Sequence, residues 1–275
     1  MTPNPADPRE RVPGAMGAVL LLMGLMLLEM LLAELMGAQA DWLGLDEMGS
    51  SGMVLLLAHA IVFTALLEYK RLSYGSLFHT GPQSAQATLM LTGLPVLMLV
   101  PGLLMVVAML MSVLTVLFPM SPSELAMFEE MGSGSAAALI TTCVLAPVLE
   151  EMLFRGLILR SFLAQYPPHQ AILGSALLFG AAHLNIYQGV VGLLLGLLTG
   201  WLYLRSRSLW PGVLLHMAYN SLISVMSSGA EAASADSTLA NANPDADFPV
   251  LGAMLAVGML VLGLRILNKL LPPAP

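Results

Sequence analysis

Residues 134–162 decide the fold, and they form the stretch GSAAALITTCVLAPVLEEMLFRGLILRSF. This run exceeds the roughly 20 apolar residues that a helix needs to cross a bilayer. It nevertheless contains the ionisable residues Glu150, Glu151 and Arg155. Ionisable groups inside a membrane are costly, and they are usually paired, inward-facing and functional. The stretch therefore predicts both a transmembrane helix and a functional site on it.

The composition of the whole chain also indicates a membrane protein. Of its 275 residues, 57% are hydrophobic and only 10% are charged, whereas a soluble domain typically carries about 25% charged residues. The net charge is −7 and no basic run occurs, so we expect the lipid bilayer and not nucleic acid as a partner. Cys143 is the only cysteine, which excludes an intrachain disulfide and a C-x-x-C motif.

Apolar runs of spanning length recur along the chain. They cover residues 14–36, 52–68, 87–118, 134–162, 169–185, 187–205, 209–227 and 248–270. The first run is too long for a signal-peptide core of about 7–15 residues, so we expect it to be a retained span. The third run contains Pro95 and Pro101 and is expected to be kinked, tilted or prolonged. The sequence thus predicts an all-α polytopic bundle of about eight transmembrane helices.

The charged residues support this count, because basic residues collect in cytoplasmic loops. With eight spans, the basic residues in loops and at span ends fall on one side, together with both termini. They are Arg9, Arg11, Lys70, Arg71, Arg160, Arg205, Arg207, Arg265 and Lys269. The loops on the opposite side contain acidic residues without Lys or Arg. These acidic residues are Asp41, Asp46, Glu47, Glu124, Glu129, Glu130, Glu231, Asp236, Asp245 and Asp247.

The chain divides into segments by composition. We expect a polar disordered tail at residues 1–13, N-terminal transmembrane helices over 14–118 and a catalytic core over 130–228. Residues 228–247 are rich in Ala, Ser, Asn and Asp and predict a flexible external loop. The last transmembrane helix is expected over residues 248–270.

Three spans carry polar residues at helical spacing. Glu151 and Arg155 are four residues apart, so they share a helix face and can pair. The Glu150 side chain points about 100° away from that of Glu151 around the helix axis. It therefore does not compete for the pairing with Arg155 and is available as the working carboxylate. His216 and Asn220 on the seventh span are also four residues apart, and His183 lies near the end of the fifth span.

A carboxylate and two imidazoles from three helices can bind a metal or polarise and deprotonate a water. Asn220 and a histidine could then donate hydrogen bonds to a developing oxyanion. Each residue also has a structural explanation when taken alone, because a histidine near a helix end or a buried charge network can simply hold helices together. Simple counting also places Glu150, His183 and His216 at different depths. We therefore expect the short connection between the fifth and sixth spans to lie inside the protein.

These motifs resemble a known family. Glu150-Glu151-x-x-x-Arg155, Phe179-x-x-x-His183 and His216-x-x-x-Asn220 are similar in order and placement to those of the CPBP intramembrane proteases, also called the CAAX protease and bacteriocin-processing or Abi family. The resemblance covers roughly residues 130–228. It implies a peptidase that works within the bilayer of a prokaryotic cell on a membrane-associated peptide or protein.

The resemblance also implies roles for these residues. Glu150 and His183 would activate the attacking water, His216 and Asn220 would stabilise the oxyanion, and Glu151 and Arg155 would complete the motif. A metal-dependent and a metal-free route both remain open. A zinc ion or another divalent cation would be bound by Glu150, His183 and His216, in an arrangement different from the H-E-x-x-H motif.

Two other functional classes suit the same sequence. One is a non-catalytic immunity or regulatory protein on the same scaffold, and the other is a proton-coupled transporter, because buried Glu and His residues suit proton relays. Glu29 and His59, in the first two spans, could line the cavity. Substrate identity and oligomeric state cannot be inferred from the sequence.

Overall fold

The computed structural model describes residues 7–37, 43–132, 134–235 and 248–271. Over these ranges the chain is an all-α bundle, as predicted, with eleven helices and no strand. The helices are α1 Ala15–Gly37, α2 Glu47–Lys70, α3 Tyr74–Phe78, α4 Ala85–Leu97, α5 Leu99–Leu117, α6 Pro122–Gly132, α7 Ala136–Leu163, α8 Pro168–Ala182, α9 Ile186–Ser206, α10 Trp210–Ala235 and α11 Phe248–Leu270. Several begin at polar caps, as at Asp46 before α2 and Asn185 before α9, whose side chains accept from backbone amides of the first turn.

Six of the described helices are long and apolar enough to cross a membrane, namely α1, α2, α5, α7, α9 and residues Leu251–Leu270 of α11. The predicted fifth and seventh spans coincide with α8, which has 15 residues, and with α10, which has 26. A helix of 15 residues is shorter than the usual span of about 20. The protein is thus a polytopic membrane bundle, while the count of eight spans and the orientation remain predictions.

The third apolar run is broken into α4 and α5 at Met98. Pro95 lies inside α4, and Pro101 lies in the first turn of α5. Proline is tolerated in a first turn because its missing N–H has no partner there in any case. The expected kink thus coincides with an interruption at Met98, whose backbone stays in the right-handed helical region and whose amide still donates to the Leu94 carbonyl.

Helix α7 forms the centre of the bundle, where it contacts α2, α8, α9 and α10. Every residue of its segment Met152–Leu159 is buried, and this segment has π-helical hydrogen bonding, as does Thr141–Leu145. π-Turns inside α-helices are rare and often occur at functional sites. By contrast, α1 and α11 present exposed large apolar side chains such as Leu20, Leu35 and Met254, as suits helices that face lipid.

Helices α8 and α9 form a close antiparallel pair that depends on small residues. A Cβ atom added at Gly180 would lie 2.5 Å from the Gly189 carbonyl oxygen, and one at Gly192 would lie 3.1 Å from the Gly180 Cα atom. Small residues let two helix backbones approach closely, as is common inside membranes. This approach fixes the end of α8, where His183 is the C-terminal cap residue.

The predicted disordered tail covers residues 1–13, of which residues 7–13 are described. Pro8–Arg11 form a 3₁₀ turn within this segment. The buried Arg160 side chain donates to both carboxylate oxygens of Glu10, and the Lys70 ammonium donates to the Arg9 and Val12 carbonyls. These long-range partners could not be inferred from the local composition of the tail.

The predicted external loop over residues 228–247 overlaps the end of α10, which continues to Ala235. The remainder of this loop, residues 236–247, lies outside the described residues. Its predicted flexibility therefore remains a prediction.

We predict that Gly180→Ala destabilises the protein by about 1–3 kcal/mol relative to Gly258→Ala, because the new methyl group overlaps a backbone carbonyl that cannot move aside. Both changes gain similar intrinsic helix propensity, but Gly258 has open space around it. Thermal unfolding of the two purified variants in detergent measures the difference. Equal melting temperatures would contradict the close packing of α8 against α9.

Candidate active site

One cavity of about 410 Å³ gathers most of the predicted site residues. Its polar wall contains Glu150 from α7, His183 at the end of α8, and His216 and Asn220 from α10. Its apolar wall comes from α5, α6, α9 and α10 and includes Met111, Phe128, Leu195 and Ile223. Four of the six predicted site residues therefore line a single pocket.

The other two predicted residues, Glu151 and Arg155, form a buried pair behind this wall. The Arg155 Nη1 atom lies 3.2 Å from Glu151 Oε1, and both side chains are 1% exposed. The pairing follows the predicted four-residue spacing on α7. A Cβ atom at Gly212 would lie 3.0 Å from Glu151 Oε2, and one at Gly196 would lie 3.2 Å from Arg155 Nη2. Both glycines thus leave room for the charged groups.

His216 lies between the two neighbouring carboxylates. Its Nε2 atom is 3.8 Å from Glu150 Oε2, and its Nδ1 atom is 3.5 Å from Glu151 Oε1. The imidazole is buried, whereas the Glu150 side chain is 21% exposed toward the cavity. Because one ring nitrogen faces each carboxylate, His216 connects the buried pair with the carboxylate of the cavity wall.

His183 is oriented by the helix that it ends. Its Nδ1 atom lies 2.9 Å from the Phe179 carbonyl oxygen. A carbonyl only accepts hydrogen bonds, so Nδ1 carries the proton in this contact, and Nε2 of the neutral ring has a free lone pair. This is the tautomer that a general base requires.

The Phe179 ring packs against both imidazoles. Its centroid lies 5.2 Å from that of His183 and 5.8 Å from that of His216, both in edge-to-face geometry. The Arg155 guanidinium lies 4.4 Å from the same ring centroid, a cation–π contact. The aromatic residue of the Phe179-x-x-x-His183 motif thus positions three of the predicted side chains.

Asn220 makes a contact that the sequence did not predict. Its Nδ2 atom donates to the Thr142 carbonyl oxygen at a distance of 2.8 Å. Tyr219, the preceding residue, also lines the cavity, and its buried hydroxyl has no hydrogen-bond partner among the described residues. Motif spacing could not find Thr142, because its contribution is a backbone carbonyl. Tyr219 could have been suspected from its position three residues after His216.

The metal-binding set proposed from the sequence needs Glu150, His183 and His216 to converge. Within the described parts of the chain, no group of three His, Cys, Asp or Glu side chains is arranged to hold a metal ion. His183 uses Nδ1 for a backbone contact and His216 faces two carboxylates, and histidines that bind a metal commonly make such contacts through the other ring nitrogen. Binding of a metal by Glu150, His183 and His216 therefore stays a prediction.

Glu29 and His59 are not among the residues of the main cavity wall. Glu29 instead lines a neighbouring cleft between α1 and α2. The His59 Nδ1 atom lies 3.0 Å from the Leu55 carbonyl oxygen and 3.5 Å from Glu29 Oε1. The two residues thus pair with each other beside α7.

The short helix α6 covers one side of the cavity, with Phe128, Met131 and Gly132 in its wall. Its Glu124 carboxylate accepts from the Asn185 side chain at 2.9 Å and from the Ser121 hydroxyl at 2.7 Å. Asn185 belongs to the connection between α8 and α9, which we expected to lie inside the protein. Part of this connection is covered by α6, although the Leu184 side chain is 84% exposed.

Comparison with known families identifies the segment that carries the site. Residues 132–222 match the family described as "Type II CAAX prenyl endopeptidase Rce1-like". All six predicted site residues lie inside this match. The resemblance to the CPBP proteases predicted from the motifs is therefore confirmed for this part of the chain.

Two curated proteins are similar to parts of this chain, over 90 and 88 residues. One is the "Uncharacterized 24.3 kDa protein" of Escherichia coli, 41% identical over 90 residues, which are 30% of this chain and 41% of that protein. The other is the "Putative membrane peptidase YdiL" of Bacillus subtilis (strain 168), 25% identical over 88 residues, which are 32% of this chain and 36% of that protein. The chain thus spans less than half the length of either relative. No solved structure matches it significantly.

We predict that the two adjacent glutamates differ in their importance for stability. Glu151→Gln leaves the buried Arg155 without its ionic partner and should lower the free energy of unfolding by about 3–5 kcal/mol. Glu150→Gln, at the partly exposed cavity wall, should change it by less than about 1 kcal/mol. Unfolding of both isosteric variants in mixed detergent micelles tests this, and an equal loss would contradict the proposed division between structural and working carboxylates.

We predict that acid loosens α6. The Ser121 hydroxyl and amide, together with Asn185, hold the pKa of Glu124 below its ordinary value of 4.5. A lowered folded-state pKa stabilises the contact above pH 4.5, and this stabilisation is lost as the pH falls through the folded-state value. Hydrogen–deuterium exchange in α6, corrected for intrinsic rates, should rise on acidification. Glu124→Ala should abolish this pH dependence, whereas Glu129→Ala, exposed on the same helix, should retain it.

Proposed function

From the match of residues 132–222 to the type II CAAX prenyl endopeptidase family, we propose that this protein is an intramembrane endopeptidase. It hydrolyses a peptide bond of a membrane-associated substrate with a water activated by Glu150 and His183. One observation carries the proposal: a single cavity in a membrane bundle is lined by a carboxylate, two imidazoles and a carboxamide.

The proposed reaction begins with a water held between Glu150 and the Nε2 atom of His183. These groups accept a proton from the water while its oxygen attacks the scissile carbonyl carbon. The carbonyl oxygen becomes an oxyanion, which accepts hydrogen bonds from His216 and Asn220. The proton is then delivered to the leaving amine as the carbon–nitrogen bond breaks, which yields a new amine and a new carboxylic acid that loses its proton to water.

The buried groups behind the wall support this chemistry by positioning. Glu151 and Arg155 neutralise each other, and Glu151 faces the Nδ1 atom of His216 at 3.5 Å. This contact orients the ring, so that the Nε2 atom on the cavity side is the proposed donor to the oxyanion. Phe179 packs against both imidazoles and helps to fix their orientations.

The cavity suits a substrate with an apolar group next to the cleaved bond. Its wall is mostly hydrophobic and contains the methionines Met111, Met120 and Met131. Methionine side chains adapt to ligands of irregular shape. We propose a prenylated or similarly lipophilic C-terminal peptide, in line with the description of the matched family. We also propose a prokaryotic cell membrane as the location, since both relatives are bacterial.

We predict that Glu150→Ala and His183→Ala each reduce cleavage of a dye-labelled farnesylated CAAX peptide by at least about 100-fold, because each removes a general acid–base group. The assay uses purified protein in proteoliposomes, with protein content and melting temperature measured alongside. Gly258→Ala, on the lipid-facing α11, should retain full cleavage.

Two outcomes would overturn the assignment. Persistent cleavage in both variants would show that other residues carry the reaction. Absence of cleavage of farnesylated and unmodified membrane peptides by the wild-type protein would favour a non-catalytic or transport role. The same assay after dialysis against EDTA tests metal dependence: unchanged rates would support the metal-free route, and a loss of cleavage that Zn²⁺ restores would support a metal bound by Glu150, His183 and His216.

A further inference from the structure

The Thr142 carbonyl lacks a backbone donor because of where Pro147 lies in α7. In an α-turn the donor to this carbonyl would be the amide of Ala146, and in a π-turn it would be that of residue 147. The Ala146 amide donates to the Thr141 carbonyl instead, in π register. Residue 147 is proline and has no N–H. The Thr142 carbonyl oxygen therefore has no backbone donor, although it lies inside a membrane helix.

Asn220 supplies the missing donor from the neighbouring helix. Its Nδ2 atom lies 2.8 Å from the Thr142 oxygen, and both residues line the main cavity. An unpaired buried carbonyl is costly, so this contact stabilises the junction of α7 with α10. It also determines where the carboxamide of Asn220 is held.

We infer that Pro147 is a positioning residue for the active site, because it keeps the Thr142 carbonyl free to hold the Asn220 carboxamide in place. The inference rests on the proposed peptidase function. A carboxamide nitrogen carries two hydrogens. One hydrogen is used by Thr142, and the second remains for the oxyanion. Since one bond fixes the group, the second donor is preorganised, which is the property that makes oxyanion donors effective.

The substitution Pro147→Ala provides the test, because it restores a backbone N–H that competes with Asn220 for the Thr142 carbonyl. We expect kcat to fall by about 10-fold, with KM changed less than about twofold, because a donor to the transition state is misplaced. Asn220→Ala should reduce kcat by about 100-fold. Adding Pro147→Ala to Asn220→Ala should cause no further loss, since residues that act as a unit are not additive.

Stability distinguishes this role from that of an ordinary structural proline. Asn220→Ala removes the side-chain donor of the Thr142 carbonyl, so the melting temperature of this variant should fall. Pro147→Ala in that background returns a backbone donor and should restore part of the melting temperature without restoring activity. Pro95→Ala is the matched control, since Pro95 also lies inside a helix but away from the cavity. Pro95→Ala alone should leave kcat unchanged, and Pro95→Ala added to Asn220→Ala should not raise the melting temperature.

The contact can also be measured without any activity. No threonine directly precedes an asparagine in the sequence. In protein labelled with ¹³C at threonine carbonyls and ¹⁵N at asparagine side chains, a dipolar contact should therefore report Thr142 and Asn220 in lipid bilayers. We expect this contact in the wild type and its weakening in Pro147→Ala. Absence of the contact in the wild type, or wild-type kcat in Pro147→Ala, overturns the inference. A protein that shows the contact but cleaves no peptide would overturn only the proposed function.

Discussion

The structure depends on a buried ion pair, because Arg155 cannot leave water without an opposite charge. Removing an ion from water costs several kcal/mol even in real proteins, and only a close partner offsets this. Glu151 is that partner, and the face of Phe179 covers the guanidinium. The neighbouring helices must then provide space, which they do through Gly196 on α9 and Gly212 on α10. The positions of three helices around α7 thus follow from the requirement to enclose one charge pair.

Much of the site was predictable, because helix geometry is regular within one turn. Four-residue spacing correctly predicted the pairing of Glu151 with Arg155. The cost of ionisable groups in a membrane also drew attention to the right helices, and four of the six predicted residues line one cavity. Apolar length alone gave the all-α membrane fold. These successes use rules that act within single helices or on whole-chain composition.

The remaining features depend on contacts between helices, which spacing does not encode. The sequence left open whether Glu29 lines the cavity, and the structure places it in a cleft formed by α1 and α2. Counting residues along straight spans placed Glu150, His183 and His216 at different depths, whereas all three line one cavity. The partner of Asn220 was hidden for another reason: π-turns and a proline change which carbonyl is free, and this depends on hydrogen bonding along α7.

The turn at Pro8–Arg11 has a consequence for the order in which the protein assembles. Glu10 and Arg160 are 150 positions apart in the chain, yet they form a two-pronged ionic contact. During synthesis, α1 and α2 leave the ribosome before Arg160 exists, and the Lys70 ammonium of α2 can already hold the turn through the Arg9 and Val12 carbonyls. The ionic contact with Arg160 can form only once α7 has been made. The turn therefore gains its full set of partners late in biogenesis, when the central helix joins the two early ones.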